Sequence, residues 1–283
     1  MPTWLVKKMQ EVLVPVICNL CNASLQHGIF PTSLKQAIVL PRLKKTTLDP
    51  CSLASYRPIS NLTLISKVVE RTVTSRLVRH AEENQLFPVR HSSYRRSHST
   101  ETAMLCVHND LVRAVDNKEV TALVLLDLSS AFDTVDHSTM LTVLHRRFGV
   151  EESAMDWFTS YLSDRTQTFR LNDQMSSSIP LTCSVPQGSV LGPISFISYT
   201  HDVPLVFQRH HVNYCQVVVR YVICTSVIYA SHAYVTAIYE PLLGSLALRQ
   251  GTLVTHEYRS GQKPVITGFV LLIIVYSHVS SGI

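Results

Sequence analysis

Three aspartates follow a short apolar run near the middle of the 283-residue chain. The run from Val120 to Leu126 is rich in β-branched and apolar residues, which predicts a buried strand that ends at Asp127. Asp133 and Asp136 come next, so that three carboxylates stand within ten residues. Carboxylates beside a buried strand are costly to place, and we therefore expect these to be solvated, paired or bound to a metal ion.

The later carboxylates of this segment allow a second interpretation. Asp133, Asp136 and His137 could be catalytic, but aspartate also favours turns and the position that caps the start of a helix. We expect the structural role for these three residues.

A second cluster that could bind metal is the pair Cys18 and Cys21, two of seven cysteines. No second pair follows at the spacing of a zinc site, and residues three apart share one face of a helix. We expect buried thiols here, and a reducing compartment for the protein.

Hydrophobic periodicity predicts the elements that must position these residues. Helices are expected over residues 4–27 with a kink at Pro15, over 64–86, 100–116, 138–148 and 151–162, and from 189 through 197 and 203. Strands are expected over 37–40, 120–126, 167–171 and 178–181. Pro180 cannot donate a ladder hydrogen bond, which predicts that the last of these strands lies at a sheet edge.

The charge balance is mildly basic, with a formal net charge of +5 and an isoelectric point near 8.8. Such a balance permits a nucleic-acid partner without requiring one. The helix over 64–86 has a basic side formed by Lys67, Arg71, Arg76 and Arg79. We expect an intracellular protein of cytoplasm or nucleus with no membrane partner, because no secretory signal is recognisable and the apolar run 268–276 is shorter than the ~20 residues of a spanning helix.

The segment Leu125–His137 reads LLDLSSAFDTVDH and resembles the first catalytic motif of reverse transcriptases from non-LTR (LINE-type) retrotransposons. Other blocks resemble the same family in the same order, and the resemblance runs from about residue 12 to residue 214. They are GIFP at 28–31, YRPISNL at 56–62, SKVVER at 66–71, SSYR at 92–95 with HSTET at 98–102, WF at 157–158 with SYL at 160–162, and VPQGSVLGP at 185–193.

The resemblance implies an RNA-directed DNA polymerase that uses two Mg²⁺ ions about 3.5–4 Å apart. By similarity, Asp127 is the metal ligand shared by both ions, and the backbone carbonyl of Leu128 is a further ligand. Phe132 matches the aromatic residue that lies under the sugar and selects deoxynucleotides, although an isolated phenylalanine is more often part of a core.

Four further residues take binding roles from the same resemblance. Gln187 and Gly188 belong to the loop that positions the incoming nucleotide and the template, and glycine lets the backbone approach closely. Arg57 and Arg95 are the candidates for contacts to the triphosphate or template, because arginine binds phosphate with two parallel hydrogen bonds. The implied partners are an RNA template, a DNA primer and deoxynucleotides.

The pattern breaks where the second catalytic motif, Tyr-x-Asp-Asp, should follow. After Tyr214 the chain reads CQVVVR, and no aspartate occurs beyond Asp202. One carboxylate cannot organise two Mg²⁺ ions, which predicts that this polypeptide does not polymerise DNA. Smaller departures are His91, Ser184 and Ser195, where the family usually has glutamine, glycine and an apolar residue.

The sequence therefore predicts an α+β fold with the fingers and part of the palm of a polymerase right hand. The expected regions are a fingers-like part over 1–119, a partial palm over 120–214, and an irregular, β-prone, divergent tail over 215–283 that lies outside the family pattern. Without the hairpin of the second motif, the palm sheet is expected to lose its centre. Two alternatives to an active enzyme stay open: an RNA-binding module that uses residues 67–79 and 90–98, or a retrotransposon relic without function.

Overall fold

A computed structural model describes residues 3–93, 95–117, 120–128, 132–209, 213–217, 220–227, 265–266 and 269–276. Within these residues the α-helices are α1 Thr3–Lys8, α2 Gln10–Gln26, α3 Leu64–Glu83, α4 Thr100–Asp116, α5 His137–Phe148, α6 Glu152–Leu162, α7 Gly192–Tyr199 and α8 Val203–Arg209. The strands are β1 Gln36–Leu43, β2 Tyr56–Asn61, β3 Val120–Leu128, β4 Arg165–Leu171, β5 Gln174–Met175, β6 Ile179–Leu181, β7 Asn213–Val217, β8 Arg220–Val227, β9 Val265–Ile266 and β10 Phe269–Tyr276. This content of helices and strands confirms the predicted α+β class.

The chain divides into two compact units that are each built from two separate stretches of sequence. The first unit contains residues 1–86 and 132–199, and the second contains residues 87–131 and 200–283. The three regions expected from the sequence are continuous stretches and differ from these units in their bounds. The division into units does not test them, and they stay a prediction. Among the described residues, no helix is both long and apolar enough to cross a membrane.

The sheet of the first unit has the order β2-β1-β4-β5, and β6 pairs with β4. Strand β1 runs antiparallel to β2 and parallel to β4. Strand β6 has β4 as its one described partner, which confirms the edge position predicted from Pro180. Helix α3 is capped by Thr63, whose hydroxyl accepts the Ser66 N–H at 3.2 Å, and it buries Val69, Val73 and Leu77 along one face.

The core of the first unit contains a group of stacked and edge-on aromatic rings. Phe30 lies edge-on to Trp157 and Tyr161, with ring centroids 5.6 Å and 5.1 Å away. Trp157 also donates its indole N–H to the hydroxyl of Ser24 at 3.0 Å. The guanidinium of Arg165, which is 1% exposed, lies 4.7 Å from the Tyr161 ring centroid and donates to the Tyr161 carbonyl at 3.0 Å. The blocks GIFP at 28–31, WF at 157–158 and SYL at 160–162 therefore meet in one packed cluster.

The sheet of the second unit has the order β7-β8-β3-β10-β9, and each pair in it is antiparallel. Strand β3 is therefore central, between β8 and β10. The expectation that this sheet loses its centre is wrong, because β8 of the hairpin β7–β8 pairs along β3. Strand pairing depends on backbone hydrogen bonds and on residues that favour strands, and the Val- and Ile-rich hairpin supplies both without any aspartate.

The predicted burial of the two N-terminal thiols is half correct. Cys21 is buried at 6% exposure, whereas Cys18 is exposed, and both are free. No group of three His, Cys, Asp or Glu side chains suited to a metal ion is present in the part of the chain that the structure describes.

Candidate functional site

Asp127 lies near the carboxyl end of the central strand β3, as predicted. Its Cα partners are Arg220 on β8 and Val270 on β10. No other aspartate or glutamate occurs in the described strands of this sheet. Val218 and Val219, which link β7 to β8 in the sequence, lie outside the described residues.

The residues beside Asp127 do not fit the pair of Mg²⁺ ions that the family resemblance implies. Two such ions need several carboxylate oxygens, and the strands on both sides of β3 offer none. An arginine instead occupies the position across from Asp127. Asp127 and the Leu128 carbonyl as metal ligands thus stay a prediction from the sequence.

The loop Pro186–Leu191 is fixed to two elements of the first unit. The carbonyl of Gln187 accepts the Ser60 N–H of β2 at 2.8 Å. The hydroxyl of Ser189 accepts the Gly192 N–H at 2.8 Å, which satisfies a backbone donor at the start of α7. The side-chain Oε1 of Gln187 is buried without a hydrogen-bond partner among the described residues.

Gly188 is required by this geometry. Its φ of +111° lies in the region that favours glycine, and a Cβ there would come within 2.9 Å of the Ser60 carbonyl oxygen. Gly188 is also exposed, so the loop presents bare backbone to solvent beside Ile59 of β2. This arrangement suits the predicted close approach of a ligand to the loop.

Phe132 lies in the same unit as this loop. Its carbonyl accepts the Val185 N–H at 2.9 Å, and its ring is 5.5 Å from the ring of Phe196 on α7. The ring is only partly buried, so both the core role and the predicted contact with a sugar are compatible with its position.

The two arginines predicted to contact phosphate differ in their surroundings. Arg57 is exposed on β2, where its Cα partner on β1 is Arg42. Arg95, in the second unit, donates to the carbonyls of His91 at 3.3 Å and Pro88 at 3.5 Å, and it lies 5.9 Å from the Phe87 ring centroid. Intramolecular partners therefore hold Arg95, whereas Arg57 faces solvent.

The structural roles expected for Asp133, Asp136 and His137 are confirmed. Asp133 lies in a turn over residues 132–134. The Asp136 carboxylate accepts the Ser138 hydroxyl and the Thr139 N–H, both at 2.7 Å, and these hydrogen bonds lower the pKa of Asp136 to about 2. It is the cap of α5. The His137 ring nitrogen Nε2 bonds the Ser184 carbonyl at 2.8 Å.

Glu70 is the residue of this region that sequence reasoning missed. It is fully buried on α3, and its carboxylate accepts the Val190 and Leu191 N–H groups at 2.7 Å and 3.3 Å. Burial raises the pKa of Glu70, although its hydrogen bonds act in the opposite direction. The available signal was an acidic residue next to Val69 on the apolar side of a predicted helix.

Ser184 gives a testable account of one departure from the family. Its φ of +85° lies where a residue with a side chain is strained, so the glycine that the family usually has there avoids a cost. Ser184→Gly should raise the free energy of unfolding by about 1 kcal/mol, measured by urea denaturation. The matched control Ser178→Gly, in an exposed loop without positive φ, should lower it slightly. A loss of stability in Ser184→Gly would contradict this account.

Side chains of helix α3 line a basic groove on its surface. The groove has a volume of about 370 Å³ and is lined by Arg71, Thr72, Ser75, Arg76 and Arg79. All three arginines are exposed, and none forms an ion pair with another described residue. In the basic segment 90–98, by contrast, Arg90 is paired with Asp110.

Comparison with known proteins agrees with the geometry. Residues 43–229 match the family described as reverse transcriptase (RNA-dependent DNA polymerase). The chain is 33% identical over 189 residues, or 67% of its length, to a probable RNA-directed DNA polymerase from transposon BS of Drosophila melanogaster. It is 30% identical over 199 residues, or 70% of its length, to the RNA-directed DNA polymerase from the mobile element jockey of the same species. It spans 20% and 21%, about a fifth, of these relatives' lengths.

Solved structures with the same fold include the apo telomerase of Candida tropicalis truncated from its C-terminal domain. The TM-score is 0.58 at 13% sequence identity, and the match covers 89% of this chain and 52% of that chain. A second apo telomerase structure from the same species gives a TM-score of 0.56 at 10% identity, covering 95% of this chain and 50% of that one. The fold therefore agrees with the predicted polymerase architecture.

Proposed function

The chain belongs to the reverse transcriptase family, and from this premise we propose that it binds RNA but does not polymerise DNA. It is a reverse transcriptase domain of the kind found in non-LTR retrotransposons. RNA template, DNA primer, deoxynucleotides and Mg²⁺ are the partners that the family as a whole suggests, and each remains a proposal for this chain.

The absence of carboxylates from the described strands beside β3 is the observation that carries the loss of polymerisation. Asp127 has Arg220 and Val270 as its Cα partners, and neither residue carries a carboxylate. No step of nucleotide transfer is therefore assigned to the residues of this chain.

The basic groove on α3 supports the binding half of the proposal. Arg71, Arg76 and Arg79 present three guanidinium groups, without an ion-pair partner among the described residues, along one exposed stretch of helix. Such a cluster suits the phosphates of a nucleic-acid strand, because arginine binds phosphate with two parallel hydrogen bonds. The segment 90–98 supports binding less well, because Arg90 and Arg95 already have partners within the protein.

The test combines two measurements on the full 283-residue chain. Primer extension with Mg²⁺ and deoxynucleotides should give no product, and product formation would overturn the proposed inactivity. Fluorescence anisotropy with single-stranded RNA should give an affinity that falls about 20-fold between roughly 50 and 200 mM salt, as expected for three phosphate contacts.

Arg76→Ala tests the assignment to the groove. It should weaken RNA binding and make its salt dependence shallower, by about 0.7 in the slope of log affinity against log salt. Arg146→Ala on α5 removes the same charge from an exposed helix of the same unit and should leave the slope unchanged. Equal effects of the two variants would assign the binding to net charge alone.

A further inference from the structure

Glu70 connects α3 to the loop Pro186–Leu191 across 120 residues of sequence. Its Oε2 accepts the N–H groups of Val190 and Leu191, and its Oε1 accepts the Ser66 hydroxyl at 3.0 Å. The side chain is 0% exposed, so water cannot replace these contacts. A buried carboxylate is tolerated because each of its oxygens has a hydrogen-bond donor.

The two amides that Glu70 accepts lie at a point where the backbone needs an external acceptor. They precede Gly192, the first residue of α7, and the first N–H groups of a helix have no partner within it. The Ser189 hydroxyl serves the Gly192 N–H, and Glu70 serves the two before it. Glu70 therefore supplies the acceptor for the two backbone donors that directly precede α7.

The opposite end of the loop is held by β2. Ser60 donates its N–H to the Gln187 carbonyl, and its own carbonyl oxygen leaves no room for a Cβ at Gly188. The loop is thus fixed at Gln187 and again at Val190 and Leu191, with the exposed Gly188 between the two attachments. A loop fixed at both ends presents its backbone in one conformation, which lowers the entropy cost of binding a ligand.

We propose that Glu70 is a positioning residue for RNA: its buried carboxylate holds the Pro186–Leu191 loop in the conformation in which the exposed backbone at Gly188 contacts the bound RNA strand. This inference rests on the proposed function. It adds to that function a second contact region, separate from the arginines of α3, and a residue that acts on RNA only through the loop.

The experiment compares three variants of the full chain in RNA binding and in amide hydrogen exchange. Glu70→Leu has a similar volume but no acceptor, so exchange at Val190 and Leu191 should become faster and RNA affinity should fall about tenfold. Glu70→Gln keeps an acceptor oxygen for both amides and should bind RNA within about threefold of the unchanged chain. The third variant, Val73→Ala, shortens a buried side chain of α3 that does not bond the loop, and it should bind RNA normally.

The outcomes separate this inference from the proposed function. If the unchanged chain fails to bind RNA in a salt-dependent manner, both are overturned. If the unchanged chain binds and Glu70→Leu binds equally well, only the positioning role is overturned. If Val73→Ala loses affinity as Glu70→Leu does, at a similar loss of stability, the effect is one of general stability and the positioning role is again overturned. Loss in Glu70→Leu with retention in the other two variants supports it.

Discussion

Replacing Phe30 with alanine should lower the free energy of unfolding of the first unit by about 4 kcal/mol, since large aromatic side chains in cores cost this much to remove. Phe30 is fully buried and lies edge-on to both Trp157 and Tyr161. Each aromatic pair contributes about 0.5–1.5 kcal/mol beyond the burial of its surface. The Arg165 guanidinium, 5.7 Å from the Phe30 ring centroid, would also lose a favourable contact.

The measurement is urea denaturation followed by the fluorescence of Trp157, which is 1% exposed and lies in the same cluster. The second tryptophan, Trp4, is exposed and is replaced by phenylalanine in all samples so that it adds no signal. Ile29→Ala is the matched control, because Ile29 adjoins Phe30 in the sequence but is 57% exposed. The control should lose less than about 1 kcal/mol. Similar losses in both variants would show that the aromatic cluster is not the core of this unit.

The aromatic cluster also explains why short blocks of the family pattern persist far from any catalytic residue. GIFP at 28–31 and the aromatic block that begins at Trp157 meet through Phe30, Trp157 and Tyr161. The block at 66–71 supplies Glu70, which holds the loop of the block at 185–193. These blocks are related by packing and hydrogen bonding rather than by chemistry.

Local patterns in the sequence predicted most individual elements. The helix expected over 100–116 is α4, and the strand expected after residue 120 is β3. These elements are long and strongly periodic, which is where sequence patterns are most informative. The single helix expected over 4–27 is instead interrupted at Met9, between α1 and α2, where the sequence contains neither glycine nor proline.

Contacts between distant parts of the chain could not be predicted in the same way. Nothing near Glu70 in the sequence indicates that its partners are the amides of Val190 and Leu191. Arg95 was expected to contact phosphate because of its residue type, and only the fold reveals that the carbonyls of Pro88 and His91 surround it. The tail from residue 215 was expected to be β-prone, but the hairpin β7–β8 could not be predicted, because residues 214–227 contain no glycine, proline, asparagine or aspartate to mark a turn.

The stability of the second unit should fall by about 3 kcal/mol as the pH is lowered from 7 to 4, because of His91. His91 is fully buried and stacks on Phe87, and its Nε2–H donates to the Ser93 carbonyl at 2.7 Å. Its Nδ1 is buried and has no hydrogen-bond partner among the described residues. Burial lowers the pKa of His91 to about 4 from an ordinary value of 6.5, and the nearby charges of Arg95 and His98 act in the same direction.

The direction of the effect follows from which state binds the proton. Between pH 6.5 and about 4 the unfolded chain protonates this histidine while the folded chain keeps it neutral, so acid favours unfolding in that interval. Above pH 6.5 both states are neutral, and below about pH 4 both are protonated, so the contribution of His91 no longer changes with pH. The departure from the glutamine that the family usually has at this position therefore introduces acid sensitivity.

Hydrogen exchange at the amides of Ser92 and Gln216 isolates the effect of His91. The Ser92 N–H donates to the Gln216 carbonyl, and the Gln216 N–H donates to the Arg90 carbonyl. These two hydrogen bonds join the segment that contains His91 to β7. Opening free energies, corrected for the intrinsic exchange rate at each pH, should fall less in His91→Gln than in the unchanged chain, by about 3 kcal/mol. His98→Gln, in the same segment but exposed, should behave as the unchanged chain. Carboxylates titrate in all three proteins and cancel in the differences between them. If His91→Gln lost as much stability in acid as the unchanged chain, the prediction would be wrong. The fold would then accommodate a protonated His91, and the packing of His91 against Phe87 would have to loosen below neutral pH.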